Sequence, residues 1–368
     1  MNLNKDKWIR FSEDLRKEKE YALSIESYHL MLEGIKTSEP SLIGKILLGL
    51  GKAYEDQIIQ KRSQLQFVRW YPENSFFNNQ LIDQSLLINN ESLASSLEHY
   101  QSILALMPNT RSSAEVHYRL AQIQSRIMRD FFAARSSFEI ALKLNPSTDL
   151  RKNIQNEIGN LLIFSGKYDE AIQYFKPEAN EEFSYRTVGY INSLLYSSQI
   201  DSAVAFLDSN ILKANPNEAH FNDIFEIHDM IIDYYTDGTR EDKLAFELFF
   251  KAEKLINEFD VKGAVKVLQT IEMDYNDSLV SPLASLRLAF IFIDLKQYDK
   301  SLEYALAVSA TSLKDKGLAL AAEIEEHFLK SKDNALQYYY RLLSESPNSI
   351  LSEPVRLHIR KISQPNES

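Results

Sequence analysis

Seven histidines, 52 acidic residues and no cysteine are the raw material for chemistry in this 368-residue chain. Without cysteine there is no disulfide, no thiolate nucleophile and no Cys-ligated metal. Glu26 and His29 have the Glu-x-x-His spacing of carboxylate-bridged metal bundles. Such a site needs a second pair and further carboxylates on facing helices, so a polar helix face explains this one. His220 and His228 share roughly one helix face with Asp223 nearby, too few ligands for a zinc site. Gly49-Leu50-Gly51 followed by Lys52 looks like the start of a phosphate loop. However, Tyr54 stands where a dinucleotide motif needs its next glycine, and Ala53 stands where a phosphate loop needs Ser or Thr. Gly51 reads better as a small packing residue. Adjacent carboxylates such as Glu325-Glu326 fit a solvated helix face. Neither a Gly-x-Ser-x-Gly elbow nor a His-Glu-x-x-His helix occurs. The expectation is a chain with no catalytic residues, no metal, no cofactor and no small-molecule substrate.

What remains is a surface for another macromolecule. The net charge of −11 argues against nucleic acid as the partner. The longest uncharged run, between Arg186 and Asp201, contains Asn192, Gln199 and several Ser, so no membrane-inserted segment is expected. No apolar stretch of signal-peptide type follows Met1. As written, the chain is expected in the cytoplasm; a periplasmic site is the alternative if the chain is part of a longer product. Hydrophobic residues make up 44% and charged residues 25%, the balance of a globular chain. Only 10 Gly and 10 Pro occur, which argues against a turn-rich all-β fold.

The prolines punctuate the text. Pro40, Pro72, Pro108, Pro146, Pro177 and Pro216 recur at intervals close to one helical hairpin, and Pro282 and Pro347 continue at about twice that spacing. Between breaks the apolar residues keep helical period. One example is Val116, Leu120, Ile123 and Ile127, then Phe131, Ala134, Phe138, Ala141 and Leu142, ending at Asn145-Pro146. Units counted from Lys5, Gly44, Glu115, Lys152, Ser184, Ala245, Pro282 and Lys316 place a small residue near position 20 and, in most, a large one at position 24. Examples are Ser24 and Tyr28, Ala134 and Phe138, Ala171 and Phe175, and Ala335 and Tyr339.

These residues resemble the tetratricopeptide repeat family, whose unit of 34 residues is a pair of antiparallel helices. The resemblance implies an all-α fold, an α–α superhelix or solenoid of about eight hairpins with one inserted segment. It also implies a non-catalytic scaffold or adaptor that holds a peptide or helix of another protein in a concave groove lined by the first helix of each unit. An enzyme or enzyme subunit on a helical solenoid is the alternative. The last units, with Tyr338-Tyr339-Tyr340-Arg341-Leu342-Leu343, look like bacterial repeat proteins of envelope assembly and the Tol-Pal system. They imply a bacterial source.

Two segments break the period. An insertion at about 58–91 carries Phe67, Trp70, Tyr71, Phe76 and Phe77, either covering neighbouring helices or offering an aromatic contact surface. An extra helix is expected at about 220–236, through Ile224, Ile227, Ile231 and Tyr235. It divides the chain into arrays at 1–217 and 218–368, the second ending in a capping helix at about 352–363 with Ser352 as N-cap. The candidate groove-lining residues are Arg119, Arg126, Asn153, Asn156, Asn160 and Asn192. Asn side chains both donate to and accept from a peptide backbone, and Arg meets carboxylates bidentately. Phe246, Phe249, Phe290, Ile293 and Phe328 are the expected lining of the later units. The Trp70, Tyr71, Phe76 and Phe77 cluster is the rival surface.

Overall fold

Breaker residues spaced one hairpin apart leave helical text between them, and that text folds as helices. The computed structural model describes residues 5–34, 39–60, 65–68, 91–107, 109–177, 185–214, 216 and 221–363. Among them no strand occurs. Two compact units form, one from residues 1–64 and 82–161, the other from residues 65–81 and 162–368.

The first unit contains α1 (Lys5–Lys17), α2 (Tyr21–Gly34), α3 (Pro40–Gln60), α4 (Glu91–Leu106), α5 (Arg111–Arg126), α6 (Phe131–Lys143) and most of α7 (Thr148–Phe164). Helices α1 and α2, α3 and α4, and α5 and α6 pack as hairpins. The second unit takes the end of α7, then α8 (Tyr168–Phe175), α9 (Tyr185–Tyr196), α10 (Ile200–Asn210) and α11 (Phe221–Ile231). It continues through α12 (Arg240–Asn257), α13 (Val261–Asp274), α14 (Ser281–Asp294), α15 (Tyr298–Val308), α16 (Lys314–His327), α17 (Lys332–Glu345) and α18 (Ser352–Ser363). Helix α11 runs into a wider π turn, Ile232–Thr236. Ser352 lies inside α18 and donates its hydroxyl to the Ser346 carbonyl at 2.9 Å, so it does not cap the helix as expected from sequence.

One column of side chains carries the hairpins. Position 20 of the eight units holds Ser24, Ser96, Ala134, Ala171, Ala203, Ala264, Ser301 and Ala335, all with 0% exposure. A small residue is needed there because the backbones of the paired helices approach closely. Where the residue is serine, its hydroxyl reaches the facing helix. Ser24 donates to Ser12 O at 2.8 Å, Ser96 to Gly51 O at 3.1 Å and Ser301 to Ala289 O at 2.7 Å. The hydroxyls are therefore satisfied although buried. Position 24 fills the space that results, with Tyr28, Tyr100, Phe138, Phe175 and Tyr339 all essentially buried. Gly51 is small for the same reason: a Cβ there would stand 2.4 Å from Tyr100 Cε1.

The turn inside the hairpin repeats too. Lys19, Arg129, Gly166, Ser198, Phe259, Lys296 and Lys330 all have φ between 56° and 71°, and each is residue 15 of its unit. This left-handed residue ends the first helix. At Lys296, its N–H donates to Ile293 O at 2.9 Å and the following N–H of Gln297 to Phe292 O at 2.8 Å. The same pair recurs at Gly166 with Lys167 and at Ser198 with Gln199. These bonds satisfy carbonyls that a helix end leaves open. Only one of the seven is glycine, so the column is invisible to a search for glycine stops.

A non-glycine residue in this conformation costs roughly 1–2 kcal/mol. Lys296→Gly should therefore stabilise the second unit by about 0.5–1 kcal/mol net of the glycine's greater unfolded freedom, raising the denaturant midpoint. A lowered midpoint contradicts the turn geometry. Ala134→Leu and Ala171→Leu should each destabilise by about 1–3 kcal/mol, because the helix pair has no room for the extra carbons. Unchanged melting curves for both would contradict the close approach.

Candidate protein-interaction surfaces

Two of the arginines expected to meet a ligand are engaged within the fold. In the first unit, charged side chains link the first helix of one hairpin to the first helix of the next. Arg16 on α1 pairs with Asp56 on α3. Arg119 on α5 pairs with Glu55 on α3 at 2.8 Å, and Glu55 also accepts the Tyr100 hydroxyl at 2.7 Å. Lys52 reaches Glu115 at 2.5 Å. Arg126 on α5 pairs with buried Glu157 on α7 at 2.7 Å, and Gln122 donates to the same Glu157 oxygen at 3.2 Å. The Glu157 carboxylate raises the Arg126 pKa, so this guanidinium stays charged. In the second unit Arg287 on α14 grips Glu253 on α12 with two bonds, 2.7 and 3.1 Å, and both side chains are buried. Breaking the buried Arg287–Glu253 pair would strand a buried charge at a cost of roughly 3–5 kcal/mol; together these contacts link successive first helices.

The asparagines divide. Asn153, Asn156 and Asn160 follow one another at helical spacing along α7, the first exposed and the other two half-buried. Asn192 lies on α9 in the second unit and is buried. Three of the four therefore share one face of one helix. Trp70, Tyr71, Phe76 and Phe77 lie outside the described residues. The expected apolar lining of the later units is core: Phe246 and Phe249 are fully buried, and Phe290 and Ile293 nearly so. Phe328 stacks on Tyr298 with ring centroids 4.8 Å apart. Aromatic and branched residues at these positions pack between neighbouring helices, where apolar area leaves water.

A site that sequence reasoning missed lies in the last hairpin. Glu323 on α16 is fully buried, and its carboxylate is filled by the main chain of a distant segment. Its Oε1 accepts from the N–H of Gln66 and from the N–H of Phe67 at 2.8 Å, and its Oε2 accepts from the N–H of Val68 at 3.0 Å. The Phe67 ring stands edge-on to Tyr339 at 5.8 Å and to His358 at 5.1 Å. Glu326 fixes both of those rings, accepting the Tyr339 hydroxyl at 2.9 Å and lying 2.8 Å from His358 Nε2. Val68 is 3% exposed, whereas the Gln66 side chain is exposed. Glu325 is buried as well and accepts from Asn334 Nδ2 at 3.2 Å, so the adjacent carboxylates are not the solvated face expected from sequence. The signal for Glu323 was present in the repeat itself. It is residue 8 of its unit, where other units put Ser12, Gly51, Gly159, Ala252 and Ala289.

Burial pushes the Glu323 carboxyl up to about 7, against the three N–H groups that pull it down, and neighbouring Glu326 adds to the rise. The folded protein thus holds a proton here that the unfolded chain has released by about its ordinary value of 4.5. This contribution to stability is full below that value and is lost as pH rises through about 7. Between pH 5 and pH 8 the wild type should therefore lose on the order of 1–3 kcal/mol relative to Glu323→Gln, read from denaturant midpoints at each pH. A difference that is flat or of opposite sign contradicts the burial of this carboxylate.

Among the described residues no cluster of three or more His, Asp or Glu is arranged to hold a metal ion, and no helix is long and apolar enough to cross a membrane. No curated protein matches the chain at a significant level. A tetratricopeptide-repeat family model matches residues 153–176. Similar solved structures include the TPR domain of P58(IPK), with 10% identity, a TM-score of 0.27, and 99% of this chain and 100% of that one covered. Another is the APC/C hetero-tetramer Cut9-Hcn1, with 13% identity, a TM-score of 0.28, and 99% and 84% covered. Superpositions that loose carry no weight. What does carry weight is the matched repeat: residues 153–176 are a tetratricopeptide repeat, and the buried small-residue column and the left-handed turn recur on both sides of it in an all-helical chain.

Proposed function

We propose that this chain is a non-catalytic scaffold that holds a segment of another protein. The observation that carries the reading is the way Leu65–Val68 sits against the last hairpin: a buried carboxylate of the array already captures bent main chain through consecutive N–H groups. Hairpin arrays of this kind are quasi-one-dimensional, so they present long surfaces built from successive first helices. On α7, Asn153, Asn156 and Asn160 offer amide groups of the type that pair with a peptide backbone. Arg119 and Arg126 serve this face indirectly, by fixing α5 against α3 and α7.

The test starts from a partner isolated by affinity capture with the full chain. Replacing Asn156 and Asn160 together by alanine should weaken the complex about five- to a hundredfold while helicity by circular dichroism stays unchanged. Wild-type affinity of that double variant, with loss of binding when Trp70, Tyr71, Phe76 and Phe77 are replaced by alanine, would assign the contact to the insertion instead of the α7 face.

A further inference from the structure

We infer that the pocket formed by Glu323, Tyr339 and His358 is a recognition site for a short protein segment with a bent backbone, bearing an aromatic residue followed by a small aliphatic one, and that Leu65–Val68 occupies it in cis as a built-in competitor. The inference deepens the scaffold reading and rests on it.

A buried carboxylate needs donors, and packing alone does not supply them. The usual solution is a fixed basic side chain, as Arg287 provides for Glu253 in the same unit. Glu323 is treated differently. Its donors are three successive main-chain N–H groups from a segment more than 250 residues earlier in the chain. Successive N–H groups turned toward one anion form a nest, a geometry that any polypeptide except one with proline at those positions can adopt. Main-chain capture of this kind sets no side-chain requirement of its own.

The side chains add the selectivity. Phe67 meets the edges of two rings, and both rings are held in place by Glu326 rather than by Phe67 itself. Their positions are thus set by the hairpin and α18. Val68 enters the core of the unit, and Leu65 packs against it from the other side of the exposed Gln66. The ligand grammar is an aliphatic residue, any residue, an aromatic residue and a small aliphatic residue.

The occupant is not part of any hairpin. It belongs to the insertion that interrupts the repeat between α3 and α4, so the site can exchange it without breaking a helix pair. An occupant in the same chain competes intramolecularly, through an effective concentration that does not depend on dilution. A partner segment of the same chemistry must therefore compete against it, and weak mimics are excluded.

The experiment uses the full chain and a fluorescein-labelled peptide of residues 63–70. Anisotropy titration should show binding to the Phe67→Ala/Val68→Asp variant at least tenfold tighter than to the wild type, because the cis occupant is disabled. Adding Glu323→Gln to that variant should lower the affinity roughly tenfold, and so should methylating the peptide's amide nitrogen at the position of Val68. A second measurement avoids variants altogether. In the wild type the amides of Gln66, Phe67 and Val68 should be protected from hydrogen exchange, and excess unlabelled peptide should speed their exchange while α16 and α17 stay protected. Equal peptide affinity for wild type and disabled variant, no effect of the N-methyl group, or unprotected Gln66–Val68 amides would each overturn the inference. A chain that fails these peptide tests yet still binds its captured partner through the Asn156/Asn160 face loses this inference while keeping the scaffold reading.

Discussion

Close approach of two helix backbones is the constraint on which this protein is built. A side chain larger than serine at position 20 would separate the paired helices within each unit, and the eight residues there are Ala or Ser without exception. The consequence spreads outward. Because the helices approach so closely, the space beyond them must be filled by something large, and Tyr28, Tyr100, Phe138, Phe175 and Tyr339 fill it. Because the chain must reverse sharply to bring the second helix back, residue 15 adopts a left-handed backbone even when it is Lys, Arg, Ser or Phe. The strain at the turn is tolerated because the packing that follows over-determines it.

Neighbouring hairpins are then joined by charge. Arg16 with Asp56, Arg119 with Glu55, and Arg126 with Glu157 connect successive first helices in the first unit, and Arg287 with Glu253 does so in the second. Apolar contacts are non-directional and allow sliding, whereas hydrogen-bonded ion pairs select one register. The same groups that look in sequence like a ligand-binding cluster are therefore committed to holding the array. What the first unit leaves available is an amide face, Asn153, Asn156 and Asn160, which is neutral and directional.

Glu323 marks a place where the rule of the small residue is broken by a charge. The last hairpin has a carboxylate where most others have Gly, Ala or Ser, and the structure answers with main chain from the insertion. A desolvated acid without those N–H groups would be costly, so a deviation from the repeat and a deviation in chain path meet at one point. Two irregularities that are far apart in sequence explain each other.

The sequence by itself determined the class of fold, the hairpin period and the packing residues, since a buried column of small residues and a column of large ones survive as a 34-residue rhythm. The tertiary structure decided the rest. Whether Arg119 faces a ligand or Glu55, and whether Phe246 lines a surface or fills a core, depends on which helix lies opposite, and one-dimensional spacing is the same in both cases. The meeting of Glu323 with Gln66, Phe67 and Val68 was beyond reach for the same physical reason: main-chain donors carry no sequence signature, and a contact across more than 250 residues is set only when the array has brought both ends of it into one unit.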